Sequence, residues 1–173
     1  QALEEHIKDS VMEEQAKLGF RKEVIRLYYP VGMLNNLFGT ACDAEEMQQA
    51  LAGFTDFAKE RLGEVTITHK KDRFCLLLPE ETSIYVHEHK KENEFIHQLV
   101  NLIASHETDM EQVKKLFEQQ PFPSVVEQTT GGEFDTVIHF TQGDDRYYYC
   151  FKDEGFHITY HRFLPADYKD LGV

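Results

Sequence analysis

Residues 146–163 read RYYYCFKDEGFHITYHRF, and how they pair decides the fold. Two runs rich in aromatic and β-branched side chains flank Lys152-Asp153-Glu154-Gly155, a charged break that ends in glycine. Such runs favour strands, and such a break favours a hairpin. A three-residue loop at Asp153, Glu154 and Gly155, with Gly155 left-handed, sets Lys152 opposite Phe156. Alternation then assigns Tyr148, Cys150, Ile158 and Tyr160 to one face, expected to be core. Tyr147, Tyr149, Phe151, His157, Thr159 and His161 fall on the other face, the candidate binding surface.

Working outward, the strand pattern extends back over residues 125–129 and 133–141, so a C-terminal β-meander is expected. Upstream, the period changes. Leu3, Ile7, Val11 and Leu18 recur at helical spacing up to Gly19. Residues 24–30 read as a short strand, and residues 31–38 as a brief helix closed by Gly39. Met47, Ala50, Leu51, Phe54, Phe57, Ala58 and Leu62 form one apolar stripe, with Asp43 placed to cap it and Gly63 to end it. Residues 64–78 read as a hairpin with a two-residue turn at Lys71-Asp72, which aligns Val65 and Ile67 with Phe74, Leu76 and Leu78. Residues 79–89 fit a helix or a loop equally. A helix from about Asn93 carries Phe95, Ile96, Leu99, Val100, Leu102 and Ile103. Thr108-Asp109-Met110-Glu111 reads as a capping box that opens another helix, with Thr108 as the cap. Residues 165–171 fit a last helical turn.

These elements predict an α+β fold, a mainly antiparallel sheet packed against amphipathic helices. One domain over residues 1–173 is expected, since that length buries roughly 70% of the unfolded surface. Residues 121–124 are the one candidate boundary, and cutting there leaves a C-terminal piece small for independent stability.

Acidic residues number 31 against 18 basic ones, a net charge of −13 with histidine neutral. That field repels phosphate backbones, so no nucleic-acid partner is expected. The basic runs His69-Lys70-Lys71-Asp72-Arg73 and His87-Glu88-His89-Lys90-Lys91 lack the interleaved aromatics of a single-strand binder and read as a solvated tip and loop. Cys42, Cys75 and Cys150 are odd in number and widely spaced, which argues against a disulfide framework or a zinc ribbon. No apolar run has the length of a membrane helix and no secretory leader is visible, so the expected place is the cytoplasm.

No motif supplies chemistry. On a strand, His157 and His161 stand roughly 13 Å apart, too far to share a zinc ion. His87 and His89 share one side only if their segment is extended. Tyr147 opposite His161 would suit a proton relay, yet such pairs are also ordinary cross-strand packing. Gly131-Gly132 reads as a turn, and neither a Walker loop nor a GxGxxG sequence occurs. No cofactor and no metal site is therefore expected.

The phrases KLGFRKEVIRLYYP, KDRFCLLLP, YVHEHKKENEFI and YCFKDEGFHITYHRF together resemble a family of bacterial proteins catalogued only as a domain of unknown function. The likeness spans nearly the whole chain and is most specific over residues 149–163. It implies a cytoplasmic bacterial protein of one domain, and it brings no activity or site residues. The leading expectation is thus a non-catalytic module that binds a protein or peptide through the Tyr/His face. An enzyme using His157, His161 and Tyr147 is the second, and an acidic immunity-type antagonist of a basic protein the third.

Overall fold

In the computed structural model, which describes residues 1–89, 93–105, 108–129 and 132–171, the apolar periodicities become seven helices and two antiparallel sheets. The fold class is α+β, as the patterning predicts, with the strands divided between two sheets rather than gathered into one. The chain separates into two units, Gln1–Glu92 and Asn93–Val173, each with its own sheet and core. The division falls near residue 92, not at residues 121–124, which lie within the second unit.

The first unit runs α1 (Ala2–Leu18), β1 (Ile25–Pro30), α2 (Val31–Phe38), α3 (Ala44–Leu62), β2 (Thr66–Lys70), β3 (Arg73–Leu78) and α4 (Glu80–His89). Asp43 caps α3 in a full capping box with Glu46. The α3 stripe is narrower than its composition suggests: Met47, Leu51, Phe54, Ala58 and Leu62 are buried, while Ala50 and Phe57 are exposed. The hairpin forms as expected, with Lys70 opposite Arg73 and Lys71 left-handed at φ 54°. The strand expected over residues 24–30 forms as Ile25–Pro30; what the periodicity did not give is its partner. β1 pairs antiparallel with β3, so the order is β1-β3-β2. One face of this sheet carries Tyr29, Phe74, Leu76 and Leu78, all buried. The Tyr29 hydroxyl meets His6 Nδ1 of α1 at 2.8 Å. Buried polar groups are matched: Thr82 Oγ1 donates to the Leu62 carbonyl at 2.6 Å and Ser83 Oγ to that of Glu23 at 3.0 Å. The buried Glu4 carboxylate accepts from Arg61 Nε at 2.7 Å, which ties α1 to α3.

The second unit runs α5 (Glu94–Ala104), α6 (Met110–Glu118), β4 (Ser124–Gln128), β5 (Thr136–Phe140), β6 (Tyr148–Asp153), β7 (Ile158–Phe163) and α7 (Pro165–Asp170). Its sheet is a meander in chain order, β4-β5-β6-β7. Asp109, not Thr108, caps α6 by accepting from the Gln112 N–H at 2.9 Å. Thr108 instead donates its hydroxyl to the Leu102 carbonyl. Phe95 of α5 and Phe117 of α6 pack edge-on against Tyr149, and Phe117 also meets Phe151. One face of the meander is therefore the aromatic core. The other face is covered at α7, where Tyr168 stacks on Tyr148 at 4.4 Å.

The last hairpin departs from the expected register. Asp153 pairs with Ile158, Phe151 with Tyr160, and Cys150 with His161. The loop has four residues, 154–157, and the Asp153 side chain accepts from the Gly155 N–H at 2.9 Å. Pairing is thus displaced by three residues from the three-residue-loop arrangement. An odd displacement turns every β7 side chain to the opposite face relative to β6. The ambiguity has a physical origin. Tyr149, Cys150 and Phe151 are all buried, so β6 is apolar on both faces and carries no alternation to select a register.

Candidate functional site

The six residues of the expected Tyr/His face do not form one surface. Tyr149 and Phe151 lie fully buried under α5 and α6. Tyr147 is half-buried beneath the Arg162 guanidinium, 4.2 Å from its ring centroid. His157 is exposed in the loop before β7. Thr159 and His161 are exposed on the far side of the sheet, with His161 beside Cys150. Tyr147 and His161 face opposite ways, so the relay between them does not form. The Cys150 thiol is buried, and burial pushes it up to about 11 from 9.0, which makes it a poor nucleophile.

Two groups that patterning missed organise this region, Asp145 and Arg162. The Tyr149 hydroxyl donates to Asp145 Oδ2 at 2.5 Å, and Asp145 Oδ1 accepts from the Tyr147 N–H at 3.1 Å. Burial first, and then the Asp145 carboxylate, hold the Tyr149 phenol well above its ordinary value; Arg162 acts the other way. This is a structural lock rather than an open site. The histidines do not gather either: His87 stacks on Phe20, and His89 meets the Tyr85 carbonyl within a helix, where an i, i+2 pair diverges. Among the described residues no cluster of three or more His, Cys, Asp or Glu could hold a metal ion. Lys90, Lys91 and Gly131 lie outside the described residues, so the second basic run and the Gly-Gly turn are described only in part.

The open surface lies in the first unit, on the uncovered side of β1, β3 and β2. Alternation sends Arg26, Tyr28 and Pro30 of β1 to this side, with Arg73, Cys75 and Leu77 of β3 and Thr66, Thr68 and Lys70 of β2. The ladders set them in three rows: Arg26–Leu77–Thr66, Tyr28–Cys75–Thr68, and Pro30–Arg73–Lys70. Lys71 follows at the turn. A shallow cavity of about 550 Å³ lies over the second and third rows, with His69 at its rim, held to Gln48 of α3 at 3.1 Å. Tyr28 is 53% exposed, and the Arg73 guanidinium rests 4.9 Å from its ring centroid. An exposed cation–π contact of this kind gives about 0.5–1 kcal/mol and keeps the guanidinium from wandering. Arg26, Lys70, Lys71 and Arg73 make no ion pair among the described residues, and Asp72 is the one carboxylate in the turn.

The composition of the tip was visible in the sequence; its setting was not. Tyr28 and Arg26 reach Cys75 and Leu77 only through the β1–β3 pairing, across 47 and 51 residues of chain. The alternation in residues 25–30 was the available signal, since it separates Arg26 and Tyr28 from Leu27 and Tyr29.

A family model described as "Domain of unknown function, E. rectale Gene description (DUF3877)" matches residues 1–172. The chain belongs to this family. The bacterial likeness read from its phrases is thereby shown, and DUF3877 carries no assigned activity. No curated protein and no solved structure matches the chain. No helix among the described residues is long and apolar enough to cross a membrane.

Proposed function

We propose that this DUF3877 protein is a non-catalytic binding module that holds a multiply charged anion on the open face of β1, β3 and β2. One observation carries the reading: three strands and a turn bring Arg26, Lys70, Lys71 and Arg73 around an exposed tyrosine, with no ion pair among the described residues, in a chain of net charge −13. Cations that make no ion pair among the described residues act on a ligand at contact distance, while the field of more distant carboxylates is screened by salt. A single exposed ion pair contributes little, so the ligand must carry several charges. Two or three charge-assisted hydrogen bonds of about 1.5–3 kcal/mol each give about 3–9 kcal/mol, and an association cost of at least about 4 kcal/mol leaves a Kd no tighter than about 0.2 mM. The basic partner suggested by net charge alone would have to use a different surface.

The test is calorimetric titration of the full chain with inorganic tripolyphosphate at low salt. Wild-type protein binds, and Lys70→Ala/Arg73→Ala weakens binding by about tenfold or more. Absence of binding by the wild type, or equal binding by the variant, contradicts the reading.

A further inference from the structure

Resting on that reading, we infer that the anion held on this face is a nucleoside polyphosphate. The surface is divided into an uncharged part and a cationic part. The cavity of about 550 Å³ falls in the usual range for small-molecule sites, roughly 300–1,000 Å³. Its lining is not uniformly cationic. The row Tyr28–Cys75–Thr68 offers a ring, a thiol and one hydroxyl, with Leu77 in the row beyond. The row Arg73–Lys70, with Lys71 at the turn, offers charge. Adjacent rows are two residues apart along a strand, about 6.8 Å. A nucleotide separates a planar base from its phosphates by one sugar, a comparable span, so base and phosphates meet the two rows together. A bare polyphosphate leaves Tyr28, Cys75 and Leu77 in water, and an uncharged aromatic leaves the cations unused.

The cation–π pair of Tyr28 and Arg73 suits both ends of such a ligand. A guanidinium plane and a phenol ring both accept a base on their faces. The guanidinium edge presents parallel N–H donors that match two phosphate oxygens. Because Arg73 already lies against Tyr28 at 4.9 Å, less rotamer freedom is lost when the ligand arrives. The charge balance selects a small ligand over a long one. Each further phosphate of a polynucleotide extends past this patch into the field of a chain carrying −13.

The experiment titrates the full chain with adenosine triphosphate, guanosine triphosphate, inorganic tripolyphosphate and single-stranded oligothymidylate under one low-salt condition. At least one nucleoside triphosphate binds about tenfold tighter than tripolyphosphate, the margin that base stacking supplies. Tyr28→Ala abolishes that margin and Tyr28→Phe keeps it, with far-UV circular dichroism unchanged in both, since the side chain is exposed. Tripolyphosphate binding as tightly as both nucleotides, or a margin indifferent to Tyr28→Ala, overturns the inference and leaves the anion reading standing. Oligothymidylate binding tighter per phosphate than the mononucleotides also overturns it. If none of the four anions binds, both readings fall together.

Discussion

Replacing Tyr149 by phenylalanine removes one oxygen from the middle of the four-stranded sheet and leaves its packing intact. The ring is fully buried against Phe95 and Phe117, so no cavity opens and no transfer term arises. What is lost is the 2.5 Å hydrogen bond to the Asp145 carboxylate, together with the hydroxyl's weaker interaction with Arg162. Hydrogen bonds to charged groups contribute about 1.5–3 kcal/mol net. Asp145 is only half-buried, so water replaces part of the lost donor and the expected cost lies toward the lower end, about 1.5–2 kcal/mol. The chain has no tryptophan, so urea unfolding is best followed by far-UV circular dichroism. The midpoint falls while the slope stays constant, because the surface exposed on unfolding is the same. Combined with Asp145→Ala, Tyr149→Phe shows a coupling above about 0.5 kcal/mol. A Tyr149→Phe variant as stable as wild type, with additive double-variant energies, refutes the placement of Tyr149 toward Asp145.

Other consequences concern alkaline stability and backbone strain. Below pH 9 the Cys150 thiol is protonated in both folded and unfolded chains; above it the unfolded thiol ionises while burial holds the folded one neutral to about 11. Stability therefore falls between about pH 9 and 11, by up to roughly 2–3 kcal/mol from this group, and Cys150→Ala flattens that part of the profile in pH-dependent urea melts. The raised Tyr149 phenol adds to the loss above pH 10, and Tyr149→Phe removes its share. In the turn before β6, Gly143 has φ +91° and an added Cβ would meet the Phe122 ring at 2.8 Å. Gly143→Ala should lower stability by more than about 1 kcal/mol in urea denaturation, whereas alanine at the unobstructed helical Gly53 should be neutral or slightly stabilising.

Most elements of this fold were legible because local chemistry marks their ends. Asp43 and Gly63 bracket α3, Asn93 opens α5, and Lys71-Asp72 closes the β2–β3 hairpin. The errors occurred where a local signal was degenerate. Thr108 and Asp109 are both good caps, and only the geometry of α6 selects Asp109. The loop after Asp153 could close with three residues or four, and β6, buried on both faces, gives no alternation to choose between them. That ambiguity is what scattered the expected Tyr/His face. The cationic face was hidden for another reason. Its parts come from β1 and from the hairpin, and no local pattern announces that two distant segments will pair. A run such as HKKDR reads as a solvated tip until Tyr28 is set beside it.

Cys75 stands at the centre of that face, between Tyr28 and Thr68, and serves as a reporter placed there by the fold. In a Cys42→Ser background, with Cys150 buried, the rate at which neutral N-ethylmaleimide alkylates Cys75 reads occupancy of the surface directly. The account predicts that saturating tripolyphosphate slows this reaction, and that Lys70→Ala/Arg73→Ala abolishes the protection at the same concentration. Alkylation as fast with the anion as without it, or protection that persists in the double variant, contradicts the assignment of this face as the binding surface.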